Sequence, residues 1–160
     1  MQDLRIAFIP LARPTFDIPL AKEVVAAVRS QLAQAGYDLV GPQELVMDLA
    51  TAEAVAEELQ ANEHDLVLIM QATFADSSML TALADASAAP LLLWAIPEAP
   101  TGGRLRLNSL CGINLGGHAL NLRQRKYSYA YAAADDPAFF EQIHTLAVAG
   151  YTLRTLRSAN

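Results

Sequence analysis

Two kinds of apolar pattern alternate along this chain. One is the short, nearly continuous run, and the other is the stripe that recurs every three or four positions. Leu4 to Pro10 (LRIAFIP) is apolar almost throughout and closed by proline, which suits a central strand covered on both faces. From Ile18 to Leu32 the residues Ile18, Ala21, Val25, Val28 and Leu32 fall on one helical face, and Gly36 ends that helix. Tyr37 to Gly41 (YDLVG) predicts a second, shorter strand. Thr51 is placed to cap the next helix, whose stripe is Ala52, Val55, Ala56 and Leu59.

The same alternation continues to the end. Asp65 to Met70 (DLVLIM) predicts a third strand, and Asp76 or Ser77 opens a helix through Met79, Leu80 and Leu83. Pro90 to Ile96 (PLLLWAI) predicts a fourth buried strand. Asn108 or Ser109 opens a fourth helix through Leu110, Ile113, Asn114, Gly117 and Leu120. Lys126 to Ala132 (KYSYAYA) alternates like an edge strand. Asp136 followed by Pro137 is a helix start, continued by Phe140, Ile143, Ala147 and Leu153.

Strands alternating with helices over short connections imply parallel strands joined by right-handed crossovers, with helices on both faces. The predicted fold is therefore α/β: a single three-layer domain over residues 1–160, with a five-stranded parallel flavodoxin-like sheet in the order 2-1-3-4-5. Ligands and partners of such sheets sit at the carboxyl ends of the strands, near the switch point between strands 1 and 3. That rule selects the loops Leu11 to Asp17, Gln71 to Asp76, Pro97 to Ser109 and Ala133 to Asp136.

Composition narrows the classes. The chain has 160 residues, 53% of them hydrophobic and 18% charged, so it can bury a core without disulfides or metal, and intrinsic disorder is excluded. It carries 11 basic and 17 acidic side chains, a net charge of −6. The basic ones are few and not interleaved with stacking aromatics, which argues against a nucleic-acid surface. Cys111 is the single cysteine, as expected of a reducing compartment, the cytoplasm by default. No apolar stretch approaches the roughly twenty residues needed to cross a bilayer, and the first residues lack a signal-peptide core.

The strand-end loops hold most of the unusual chemistry. Thr15-Phe16-Asp17 and Thr73-Phe74-Ala75-Asp76 each place a hydroxyl, a ring and a capping carboxylate just after a strand. Capping plus a ring that closes the core is the simpler explanation. The loop from Pro97 to Ser109 is long for a strand-to-helix connection, and it brings Glu98, Arg104 and Arg106 to one end of the sheet. Anion binding and subunit contact both suit it. No G-x-G-x-x-G or G-x-x-x-x-G-K-[ST] motif is present.

The run from Pro90 to Leu120 (PLLLWAIPEAPTGGRLRLNSLCGINLGGHAL) resembles the N-terminal domain of L-fucose isomerase-like proteins, the group allied to L-fucose and L-arabinose isomerases. The PTF of Pro14 to Phe16, the TF-A-D of Thr73 to Asp76 and the W-x-x-P-E of Trp94 to Glu98 match it too, in order, over essentially the whole chain. The resemblance implies a longer subunit with a second α/β domain and a β-rich domain. It also implies a ketol isomerisation that uses a divalent metal, typically Mn²⁺, held by carboxylates and a histidine of the later domains. Those ligands cannot be assigned to this chain, for which no cofactor, metal ligand or catalytic residue is expected.

What the resemblance implies for a first domain is association. It would pack against a neighbouring subunit of a homo-oligomer, or against the remaining isomerase domains, and help wall a monosaccharide pocket. Arg13, Thr15, Phe16, Thr73, Phe74, Asp76, Trp94, Glu98 and Arg104 are the candidates for that wall or contact, with Asn108 and Ser109 capping the helix that supports it. The alternative is a free-standing α/β binding or assembly module without chemistry. After Tyr151 to Leu156 the resemblance predicts a domain junction.

Other chemistries fit less well. Cys111 and His118 lie seven residues apart on one helix, roughly 10 Å along its axis, so a cysteine nucleophile with that histidine as base is disfavoured and Cys111 reads as a buried structural residue. His64, His118 and His144 show no close ligand spacing, and His64 reads as solvent-facing. Glu98, Asp76 and His118 form the one combination that could collect an ion at the strand ends. Leu11-Ala12-Arg13 replaces the acidic pair that a receiver domain needs, and a lone Thr15 is too little for a flavin phosphate.

Overall fold

The structure is a computed structural model that describes residues 4–159. Met1 to Asp3 and Asn160, on which the leader and domain-junction readings partly rest, lie outside it. The strands are β1 (Arg5–Leu11), β2 (Asp38–Val40), β3 (Leu66–Gln71), β4 (Leu91–Ala95) and β5 (Ser128–Tyr131). They alternate with helices α1 (Ile18–Gln34), α2 (Leu49–Ala61), α3 (Ser77–Asp85), α4 (Ser109–Leu122) and α5 (Pro137–Ser158). All pairings are parallel, in the order β2-β1-β3-β4-β5. The predicted α/β architecture and strand order are those observed.

The pleat explains why the central strands read as continuous apolar runs. Ile6 and Phe8 of β1, Leu66, Leu68 and Met70 of β3, and Leu92 and Trp94 of β4 face one side, under α1 and α5. Ala7, Ile9 and Leu11, Val67 and Ile69, and Leu91, Leu93 and Ala95 face the other, under α2, α3 and α4. Both faces are buried, so neither half of the alternation is polar.

Helix starts follow capping chemistry, with shifts from the sequence reading. Asp48 caps α2 in place of Thr51: its carboxylate accepts from the Thr51 N–H at 2.8 Å and from the Thr51 hydroxyl at 3.0 Å. A carboxylate that takes both donors competes better for the capping position than the hydroxyl it holds. In α5, Phe139 is buried and Phe140 only partly so, while Leu153 is 45% exposed. The buried line is Phe139, Ile143, Ala147 and Gly150.

Gly150 lets α5 lie directly on the start of β3. A Cβ there would sit 1.7 Å from the Asp65 carbonyl oxygen. Asp65, just before β3, is fully buried, and its carboxylate accepts from the Arg5 N–H and from Arg154 Nε, each at 2.9 Å. His64 beside it differs from the solvent-facing expectation. Its ring lies within hydrogen-bonding distance of the Asn62 carbonyl and the Ser87 hydroxyl, and burial lowers its pKa.

Among the described residues no helix is long and apolar enough to cross a membrane. The close approach at Gly150 yields a direct test. Gly150→Ala has to push α5 off the Asp65 carbonyl and should cost about 1–3 kcal/mol in urea unfolding. A wild-type midpoint would mean that α5 does not approach β3 so closely.

Candidate functional site at the carboxyl rim of the sheet

The chain leaves β1 toward β2 on one side and returns to β3 on the other, so the switch point of the sheet lies at the carboxyl ends of β1 and β3. Three loops meet there. The Thr73 hydroxyl accepts from the Arg13 N–H at 2.8 Å and donates to the Phe74 carbonyl, joining the β1 and β3 loops. The loop after β4 reaches both: Phe74 N–H donates to the Leu107 carbonyl at 2.8 Å, and Asp17 N–H to the Arg106 carbonyl at 3.1 Å.

Glu98 holds that third loop in shape. Its carboxylate accepts from the backbone N–H groups of Arg106 at 2.7 Å, Leu107 at 3.2 Å and Asn108 at 2.6 Å. Three donors that would otherwise face a chain turning back on itself converge on one anion. Asn108 takes the left-handed conformation, with φ 53°, as the loop turns into α4.

A ladder of rings and guanidiniums stands on this framework. Phe16 and Phe74 have centroids 6.1 Å apart, the Arg104 guanidinium lies 5.2 Å over Phe16, and that of Arg13 lies 6.0 Å from Phe74. Arg13 also faces Asp76 at 3.7 Å. Arg104 is exposed, and among the described residues its one polar contact is the Thr15 carbonyl at 3.5 Å.

The eleven candidates therefore separate. Arg13, Thr15, Phe16, Phe74, Asp76, Glu98, Arg104 and Asn108 reach the rim with some exposure. Thr73, Trp94 and Ser109 are buried. Trp94 is a core residue, its ring 4.3 Å from Phe139 and its Nε1–H donating to the Ala132 carbonyl at 2.9 Å. Its place inside β4 turns the ring toward α5, not toward the strand ends. Asp76 and Asn108 occupy cap positions without a side-chain capping bond. Ser109 works instead as a cross-brace, its hydroxyl donating to the Gln71 carbonyl and accepting from the Ile96 N–H.

Sequence reasoning left Asp17 and Arg106 outside the candidate set. Their side chains meet at 2.7 Å, and Asp17 also caps α1 through the Leu20 N–H. The Leu20 amide first, then Arg106, hold the Asp17 carboxyl below its usual pKa. Gln71 was missed as well. It is fully buried at the end of β3, where its side-chain oxygen accepts from the Ala75 N–H at 3.1 Å. The one signal for it was a polar residue closing an otherwise apolar run.

The reading of Cys111 needs correction. Cys111 is exposed, because α4 turns Gly112 and Ile113 inward in its place. Among the described residues no three His, Cys, Asp or Glu side chains form a group that could hold a metal ion, so Glu98, Asp76 and His118 do not assemble one. The described residues therefore offer no set that would by itself fit the Mn²⁺ implied for a longer family member. A depression of about 350 Å³ beside His64 and Arg154 lies at the opposite end of the strands, where Asp65 and Glu63 already pair with Arg154.

Comparison with known proteins decides the family. The model of the fucose/sulfoquinovose isomerase N-terminal domain matches residues 7–157. The chain belongs to this family. It is 29% identical over 157 residues to the sulfoquinovose isomerase of Alkalicoccus urumqiensis, covering 98% of this chain and 35% of that protein. The sulfoquinovose isomerases of Priestia aryabhattai and Clostridium sp. (strain MSTE9) are 27% and 28% identical, over 89% and 99% of this chain and 32% and 35% of their own lengths. The chain thus spans about a third of the curated relatives it matches.

Two predictions test the rim as an N-terminal domain's loop framework. Glu98→Ala strands the three amides it collects and should cost about 2 kcal/mol, with faster hydrogen exchange at Arg106 to Asn108. Unchanged exchange there would refute its role as the loop's anchor. For Asp17, the folded carboxyl holds its proton less tightly than the unfolded one. Its contribution is present above the ordinary value near 3.8 and is lost as pH falls through the lower folded value. An NMR titration of the Leu20 amide should therefore show a midpoint below 3.8, raised part of the way back in Arg106→Ala.

Proposed function

We propose that this chain acts as the N-terminal domain of an aldose–ketose isomerase of the sulfoquinovose type, non-catalytic alone, whose carboxyl rim closes the sugar pocket of a neighbouring subunit. The observation that carries this reading is the Arg13–Phe74–Phe16–Arg104 ladder, held outward by three interlocked loops in a chain that belongs to the isomerase family. Aromatic faces suit the apolar face of a sugar ring. The Arg104 guanidinium, with no carboxylate partner among the described residues, suits the sulfonate of sulfoquinovose.

In this reading the divalent metal, Mn²⁺ for the family the sequence resembles, is held by the part of the relatives' length that the chain does not cover. Bound there, it would polarise the sugar's carbonyl and hydroxyl oxygens for proton transfer. The rim residues would orient the sugar and exclude water. Their own hydrogen bonds are spent on one another: Asp17 on Arg106, Thr73 on Arg13, Glu98 on three amides. That favours a preorganised wall over a proton-moving set.

The test joins the chain to the missing part. Alone, with Mn²⁺ and sulfoquinovose, it should release no ketose. Fused to the carboxyl-terminal two-thirds of the Alkalicoccus urumqiensis relative, it should support turnover. Arg104→Ala in the fusion should lower kcat/KM about tenfold, through KM more than kcat, at unchanged Tm. Turnover by the chain alone, or a fully active Arg104→Ala fusion, would overturn the reading.

A further inference from the structure

The two edges of the sheet are unequal. Ten large apolar side chains are exposed among the described residues, and five of them, Leu110, Leu115, Leu122, Tyr129 and Tyr131, stand on α4 and β5. The opposite edge is blunted. Neither α1 nor β2 carries any, α2 carries Leu49 alone, and the Asp38 carboxylate in β2 is paired with Arg5 at 2.8 Å. Strand β5, Ser-Tyr-Ala-Tyr, has no charge, proline or bulge to discourage a neighbour.

Glycine explains how α4 comes to expose apolar side chains. A Cβ on Gly112, Gly116 or Gly117 would meet Gln71, Leu80 or Tyr127 at 2.4–2.6 Å, so the glycine face lies against the domain. Leu110 then borders an open groove of about 320 Å³ with Asn114 and His118 on one side and Tyr127, Tyr129 and Tyr131 on the other. The three tyrosines share one side of the strand by the pleat. Ala132 N–H donates to β4, so the N–H groups of Tyr129 and Tyr131 point away from the sheet, while Gln142 covers the Tyr129 carbonyl at 3.2 Å.

Charge selects the occupant. Lys126 lies just before β5 and Asp135 lies beyond its far end, both exposed and without an ion-pair partner among the described residues. One end of the edge is therefore basic and the other acidic. Turned antiparallel by a twofold axis, the same edge of another molecule sets basic end against acidic end twice. Aligned parallel, it sets like against like. We propose that a second copy of this chain docks on the α4–β5 edge in that antiparallel sense, with the tyrosine stripes and Leu110 at the centre and Lys126 of each copy near Asp135 of the other. The contact is isologous and closed, so it stops at two. It uses none of the eleven candidate site residues and does not rest on the isomerase reading.

Sedimentation equilibrium of the chain at about 100 μM should give twice the 17.2 kDa chain mass. Tyr131→Lys should give the monomer with an unchanged circular dichroism spectrum. Lys126→Glu and Asp135→Lys should each weaken the dimer about fivefold, and the two together should restore it, because the pair is exchanged across the axis. A monomeric wild-type chain would overturn the proposal and leave the edge to a covalently joined or foreign segment. A dimer indifferent to Tyr131→Lys, or a double variant no tighter than the singles, would overturn it too, placing the contact elsewhere or in another orientation.

Discussion

The carboxylate of Glu98 is the constraint on which the rim depends. The chain between β4 and α4 has no secondary structure of its own, and its backbone donors need partners wherever it settles. By drawing the amides of Arg106, Leu107 and Asn108 onto one anion, Glu98 fixes where the next carbonyls point. The Arg106 carbonyl then meets Asp17 and the Leu107 carbonyl meets Phe74. Leu107 itself is buried, so the loop is also held from beneath by its apolar side chain. Arg104 stands over Phe16 because the loop that carries it has been set this way.

The opposite end of the sheet is closed by a different device. Asp65 is a buried carboxylate, costly unless its oxygens are matched, and Arg154 and the Arg5 amide match them. Gly150 makes the geometry possible by letting α5 rest on the Asp65 carbonyl. The amino ends of β1 and β3 are thus tied by charge and close backbone contact. Their carboxyl ends carry loops whose outer layer is aromatic and cationic. The depression near His64 is a seam between α2, the segment after α3, and α5.

The fold was legible because its cause is local. Buried parallel strands read as apolar runs, helices as stripes, and their strict alternation leaves few topologies. The rim was legible as a place but not as an arrangement. Its rule follows from topology, whereas the partners of Glu98 are backbone amides, which every residue carries and no sequence distinguishes. Trp94 was drawn toward the rim by its nearness to Pro97, yet the pleat decides its direction, and β4 runs on to Ala95. Cys111 was misplaced for a related reason. The stripe read for α4 ran through Leu110 and Asn114, which are exposed, whereas the face against the domain is Gly112, Ile113, Gly116, Gly117 and Leu120.

That glycine face links packing to association. A helix that buries leucines holds its backbone away from the sheet and spends its apolar surface inward. A helix that buries Gly112, Gly116 and Gly117 comes close and leaves Leu110, Leu115 and Leu122 outside. Tertiary stability gains van der Waals contact at short range, but the apolar area so displaced stays in water unless another surface covers it. Beside it runs an edge strand whose tyrosines face the same groove. The packing that makes α4 fit the sheet is therefore the same packing that leaves this side of the molecule short of a neighbour.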